Sequence, residues 1–210
     1  MNRQLIARPF LAAVLPLALA ACGTVPIDLR YRPGSAAKAI TGEARPRLRL
    51  EVRDETGGPD SGSMAGDINL QMRLKGPLRA KVLRPYAESL REALLLELGR
   101  LGFAGAEAGG ALDGTLTARL RKLVCQADSI GSTNVPMSAR ILIVLTLADR
   151  GGKVFWEDEL KGVGHGIESA PAYLRVGAGP NDSVNGALAD AMSRLGPLLE
   201  ASGVLPKLSP

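Results

Sequence analysis

The stretch SARILIVLTLADRGGKVFWEDELKGVGHG, residues 138–166, decides how this chain is put together. Its first half is apolar on both faces through Ile141, Leu142, Ile143, Val144 and Leu145, and the run is too short to cross a bilayer, so it marks a central strand. In the second half Val154, Trp156 and Leu160 alternate with Glu157, Glu159 and Lys161. Two strand-like runs flanking a Gly-Gly turn form a hairpin. Gly162, Gly164 and Gly166 continue the face of Trp156 and Leu160, where the loss of side chains lets a helix or a ligand approach the backbone.

Upstream of the hairpin, ALDGTLTARLRKLVC has period two, with Leu112, Leu116, Ala118 and Leu120 opposite Asp113, Thr115, Thr117, Arg119 and Arg121. Before it lies a helical stripe of Tyr86, Leu90, Leu94, Leu98 and Leu101, with Pro85 at its start and Gly102 at its stop. Earlier still, RLRLEVRDE (47–55) alternates as a half-buried strand, TGGPDSGSMAG is a loop, and INLQMRL is a candidate short strand. Downstream, a loop over about 168–182 leads to a helix from near Ser183 to Ala201. Val184, Leu188, Met192 or Ala191, Leu195 and Leu199 form its stripe, and Asn181, Asp182 or Ser183 caps it. Strand, helix, three strands, helix folds most economically as an α+β two-layer sandwich: one antiparallel-rich sheet with both helices on one face.

The N-terminus MNRQLIARPFLAAVLPLALAAC has the anatomy of an export signal, with Arg3 and Arg8 ahead of an apolar stretch from Pro9 to Ala21. That stretch rises only about 20 Å as a helix and contains Pro9 and Pro16, so it does not read as a permanent span. Leu19-Ala20-Ala21-Cys22 resembles the bacterial lipobox. The resemblance implies cleavage between Ala21 and Cys22, a diacylglycerol on the Cys22 thiol and an N-acyl chain on its amino group. Several acyl chains suffice for stable anchoring, since each buried CH₂ contributes about 0.8 kcal/mol. Gly23 stands where an aspartate would resemble an inner-membrane retention signal, which favours the periplasmic face of the outer membrane. The division that follows is a signal peptide over 1–21, a lipidated N-terminus and flexible tether over 22–45, and a periplasmic domain over 46–205. Within the tether, PIDL is apolar enough to pack on the domain's edge.

Composition narrows the function classes. Aromatic residues are 3% of the chain, which leaves little for base stacking or sugar binding. Leaving out Arg3 and Arg8, a chain beginning at Cys22 holds 24 basic and 21 acidic residues, a net charge of +3, and the signs are interspersed. Nucleic acid is therefore not an expected partner. With Cys22 acylated, Cys125 is a lone thiol that ends an apolar pattern, and it is expected to be buried and inert.

No catalytic set is visible, and the chain is expected not to be an enzyme. His165, the sole histidine, shares the less buried face with Glu157, Glu159 and Lys161 and has no local nucleophile or base beside it. One His and one spare Cys are too few for structural zinc. Glu157, Asp158 and Glu159 point alternately to opposite faces and do not converge, and Asp54, Glu55 and Asp60 lack EF-hand spacing. GVGHGI is not a dinucleotide fingerprint, and neither GxxxxGK[ST] nor GxSxG occurs. The expectation is no metal and no cofactor beyond the covalent lipid.

One surface carries a positive expectation. If the alternating core residues face the helices, Leu142, Val144 and Phe155 form an apolar island on the opposite face, near Arg119 and Arg140. Such an island either binds a partner or is covered by the tether or by residues 64–81. The basic residues Arg119, Arg121, Lys122 and Arg140 suit an anionic partner such as peptidoglycan or a lipid headgroup.

Taken in order, the lipobox, the tether, the strand ending in VRD, the helix closing on LGF, the hairpin and the terminal amphipathic helix resemble the YajG-type family of bacterial lipoproteins over about residues 22–205. That family supplies no catalytic residues, so the resemblance implies a non-catalytic envelope protein that binds a partner in maintenance or assembly. The lipid anchor and the helix on a sheet are also similar to auxiliary lipoproteins of lipid-handling ABC transport systems, which implies a small apolar cavity between sheet and helices.

Overall fold

The computed structural model describes residues 25–33, 46–56, 80–105, 111–127, 134–169 and 178–208. The candidate strand INLQMRL, Asp60, Ala21 and Cys22 lie outside these. The elements in order are β1 (Val25–Ile27), β2 (Arg47–Asp54), β3 (Ala80–Val82), α1 (Tyr86–Arg100), β4 (Ala104–Gly105), β5 (Gly114–Ala127), β6 (Asn134–Asp149), β7 (Val154–Ser169), α2 (Ala178–Ser193) and α3 (Leu195–Ala201). They build the expected α+β two-layer arrangement, with a five-stranded sheet in the order β4-β2-β5-β6-β7.

The sheet is mixed. β5, β6 and β7 form an antiparallel meander, whereas β2 runs parallel to both β4 and β5. The chain leaves β2 and returns to β5 through α1, and such a crossover is what parallel neighbours require. The 138–166 stretch forms the expected hairpin: Asp149 accepts the Gly152 N–H at its carbonyl (3.0 Å) and the Lys153 N–H at Oδ1 (2.9 Å), and Gly152 takes φ +81°.

α1 packs on β2 and β4, α2 packs on β5, β6 and β7, and the two helices touch. Tyr86, Leu90, Leu94, Leu98 and Leu101 are all buried, as are Val184, Leu188, Met192, Leu195 and Leu199. They join Leu116, Leu120, Ile141, Ile143, Leu145 and Leu160 in one core. Each such aliphatic side chain contributes about 1.5–3 kcal/mol relative to exposure. Beyond α1 and its C-cap Leu101 the chain turns at Gly102, φ +94°, where the Phe103 N–H bonds back to the Leu98 carbonyl (2.9 Å) and Phe103 turns into the core.

The last helix differs from the sequence reading at both ends. It begins at Ala178, so Asn181, Asp182 and Ser183 lie inside it and do not cap it. The cap comes from β7, whose Glu168 carboxylate accepts the Gly179 N–H (3.0 Å) at the positive end of the helix dipole. Pro180 in the first turn is no obstacle there, since N–H groups at a helix start have no intrahelical acceptor. Near Arg194 the helix breaks into α3, because Pro197 has no N–H to donate four residues back to Ser193.

The N-terminal segment is the larger correction. Residues 25–33, assigned to the tether on composition, belong to the domain. β1 pairs in parallel with β3, Ile27 is fully buried and Leu29 nearly so. Asp28 N–H donates to Asn181 Oδ1 (2.8 Å), Arg30 N–H to Asn185 Oδ1 (2.6 Å), and Asn185 Nδ2 to the Asp28 carbonyl (3.2 Å). Tyr31 donates its hydroxyl to the buried Glu97 carboxylate, which also accepts from Arg100 (2.8 Å). PIDL is thus more than an edge contact. At the other terminus Leu208 is buried too, which carries the domain past residue 205.

One ionisable group ties three elements together. Asp113, ahead of β5, accepts the Arg47 N–H of β2 (2.8 Å) and pairs with Arg150 of the hairpin turn (2.6 Å). The Arg47 N–H, then Arg150, hold its carboxyl below the usual carboxylate range. With the folded pKa below the unfolded one, its stabilisation is present above about pH 4 and is lost as the pH falls through the folded value. Asp113→Asn is therefore expected to lose less of its urea midpoint on acidification than the parent. Equal losses in the two proteins would show that Asp113 has no part in the acid sensitivity.

Candidate functional site

The sheet face away from the helices is the candidate site, and two bulges decide which residues it holds. In β5, Leu120 pairs with Ile143 but Lys122 pairs with Leu142, so Arg121 is an extra residue. Leu116, Ala118 and Leu120 face the helices before it, Leu123 and Cys125 after it. In β7 the register shifts between Leu147, opposite Trp156, and Ala148, opposite Val154, which leaves Phe155 as the extra residue. Phe155 and Trp156 both pack against the core, and Val154 is turned out to 54% exposure. Phe155 therefore does not belong to the apolar island, and Val154 does not share the face of Trp156.

What remains is an ordered lattice of cross-strand neighbours. Val144 stands between Arg119 and Glu159, Leu142 between Lys122 and Lys161, and Arg140 between Val124 and Val163. Val144 is only 8% exposed although it is on the outer face, and Leu142 is half-buried. Long charged neighbours lay aliphatic stems over small apolar ones in such positions. Arg119 pairs with Glu157 (2.8 Å), Arg121 with Glu55 (2.9 Å) and Lys161 with Glu159 (2.7 Å). The charges of Arg119 and Arg121 are thus answered within the chain, which leaves Lys122 and Arg140, both exposed, as the stronger basic features.

The apolar part of the face lies further along β7 than expected. Val163 is 45% and Ile167 60% exposed, flanking the exposed His165. The alternation GVGHGI carries the signal: if its glycines face the helices, Val163, His165 and Ile167 must face outward. The candidate surface is therefore Leu142, Val163 and Ile167 with Lys122 and Arg140.

The helix-facing side of the same strand is closed. A Cβ on Gly162 would lie 2.0 Å from the Ala187 carbonyl oxygen, and one on Gly164 would lie 2.0 Å from that of Ser183. The glycine stripe serves helix packing and leaves no room for a ligand. Cys125 is buried there with its sulfur 3.2 Å from Ser183 Oγ, as expected of an inert thiol. Between α1 and the sheet edge a crevice of about 70 Å³ is lined by Leu48, Leu50, Leu95, Leu98, Gly99, Phe103 and Ala104. It falls well short of the roughly 300 Å³ of the smallest ordinary ligand pockets.

The titratable groups are arranged for structure. Burial pushes the Tyr31 hydroxyl far up, with the Glu97 carboxylate adding to the effect, and burial does the same to Tyr86. Both phenols are held neutral; Tyr31 donates to Glu97, whereas the buried Tyr86 hydroxyl meets no hydrogen-bond partner among the described residues. Asp54 accepts from the Thr56 N–H (3.0 Å), Glu157 and Glu159 pair with different cations, and no group of three or more His, Cys, Asp or Glu among the described residues is placed to hold a metal ion. No described helix is long and apolar enough to cross a membrane.

The chain matches no protein-family model and no curated protein. Among solved structures it is similar to protein XCC0632 from Xanthomonas campestris, of the DUF330 family, with a TM-score of 0.53 at 12% identity over 89% of this chain and 99% of that one. A minor lipoprotein from Acinetobacter baumannii aligns with a TM-score of 0.40 at 11% identity over 76% of this chain and 93% of that one. A Caulobacter crescentus chain named as a lipoprotein gives 0.38 at 15% identity over 54% and 79%. The first of these likenesses establishes a shared fold.

Proposed function

We propose that this protein is a bacterial lipoprotein, anchored through Cys22 to the periplasmic face of the outer membrane, that works without catalysis by binding an envelope partner on its outer sheet face. The YajG-type pattern of elements supports this reading, and Leu19-Ala20-Ala21-Cys22 behind a basic start carries it. The outer face adds exposed aliphatic side chains beside Lys122 and Arg140, a combination suited to an amphipathic partner with anionic groups. The reading as a lipid-handling auxiliary subunit stands second, since the crevice beside α1, formed by described residues, has no room for an acyl chain.

The anchor is tested by intact mass. The mature chain is expected to begin at Cys22 and to carry the diacylglycerol and N-acyl increments, while Cys22→Ser accumulates as precursor. A mature, unmodified chain would overturn the reading. The surface is tested by crosslinking in native membranes, where Leu142→Asp with Val163→Asp is expected to abolish the partner crosslink in a variant that still unfolds cooperatively, at a lowered melting temperature because Leu142 is half-buried. An undiminished crosslink in that folded variant would remove the outer face from consideration.

A further inference from the structure

We propose that the domain stands end-on against the bilayer, with the start of α2, the end of β7 and the start of β6 seated on the lipid surface and the β6–β7 turn pointing away. This rests on the lipoprotein reading of Cys22 and adds an orientation and a lipid-contacting surface to it. The argument is one of chain length. The hydrogen bonds of Asp28 to Asn181 and of Arg30 to Asn185 make residues 28–30 run alongside α2 in the helix's own direction. Traced backward, three residues of extended chain carry Val25 about 10 Å from Asp28, whereas Ala178 lies only about 4.5 Å before Asn181 along the helix axis. The chain thus leaves the domain at the N-terminal end of α2. Val25 is three Cα steps from Cys22, at most about 11 Å. A domain docked from its β1 onward cannot stand off from the membrane that holds Cys22.

The same end carries the most exposed of the outward aliphatic side chains described. The Gly179 backbone packs on Ile167 and Glu168 of β7, and Ile167 pairs with the exposed Pro136 near the start of β6. Ile167, 60% exposed, is the most exposed large apolar side chain described, and core packing gives no reason for it. A lipid surface is the partner that the anchor brings within reach. The opposite end, at Asp149–Val154, is exposed and mainly polar, with Val154 as its one outward aliphatic side chain. β6 has 16 residues, which places that turn about 50 Å from the anchored end.

The test uses the full lipidated chain in vesicles of phosphatidylethanolamine with a minority of phosphatidylglycerol. With Cys22 acylated and Cys125 buried, Ile167→Cys, Ala178→Cys and Val154→Cys each supply the reactive thiol for a fluorophore, and all three positions are exposed. A headgroup-linked nitroxide is expected to quench labels at Ile167 and Ala178 several-fold more than one at Val154. Equal quenching at the two ends, in protein whose mass shows the acyl chains, would overturn the end-on docking and leave the lipoprotein reading standing. A chain without acyl chains would overturn both.

Discussion

Gly164→Ala is expected to destabilise the domain by at least about 3 kcal/mol, the upper end of what overpacking costs in a closed core. The new Cβ would lie 2.0 Å from the Ser183 carbonyl oxygen and 2.2 Å from the Ala187 nitrogen. Those are backbone atoms of a helix that cannot rotate away, so α2 must lift from β7 along its length. Lifting it would also open the contacts of Val184, Ala187 and Leu188, which are fully buried. For a domain of this size about 3 kcal/mol lowers the melting temperature by roughly 6–12 °C. Gly99→Ala is the matched control: the same substitution in α1 meets nothing within 4 Å and is expected to stabilise by about 0.5–1 kcal/mol. Thermal melts followed by circular dichroism separate the two. If Gly164→Ala melts with the parent, the helix does not rest on the glycine stripe and that face is not closed.

The features that were legible in the sequence are those in which periodicity alone sets the answer. The five-residue stripe of α1, the helix-facing glycines and the alternation of Glu157 and Glu159 with Leu160 each depend on one element's geometry. Phe155 and Val154 were misplaced because a single extra residue reverses the parity of a strand, and neither is a glycine or proline that would mark the bulge. The start of α2 was misjudged because its cap comes from Glu168 on the preceding strand and not from a neighbouring Asn, Asp or Ser. Parallel pairing of β2 with β5 was invisible, since it depends on where α1 returns the chain. The candidate site inherited these errors. Leu142 and Val144 lie on the outer face as period two predicts, Phe155 sits at a bulge and packs against the core, and Val163 and Ile167 follow from the glycine pattern.

Loss of the N-terminal segment is expected to have an effect of similar size. Residues 25–33 read as tether because two prolines and three charges interrupt their few apolar side chains, yet Ile27 and Leu29 go into the core. Replacing either with Ala should cost about 2–5 kcal/mol, the usual range for a buried aliphatic residue. The double variant should exceed either single one. A chain beginning at residue 34 would lose β1, the pairing it offers β3, both side chains, and the Tyr31 hydroxyl that meets buried Glu97. Glu97 would keep Arg100, so its charge remains paired and the missing aliphatic volume is the dominant loss. The prediction is that chains starting at residue 23 melt as the mature protein does, while chains starting at residue 34 are unfolded or melt far lower. Limited proteolysis gives the complementary readout: cleavage between β1 and β2 should leave the 25–33 peptide bound to the domain on a sizing column. A domain that melts unchanged from residue 34 would return these residues to the tether. It would also free the fold to stand at a distance from the membrane, because the short reach from Cys22 matters only while Ile27 and Leu29 stay in the core.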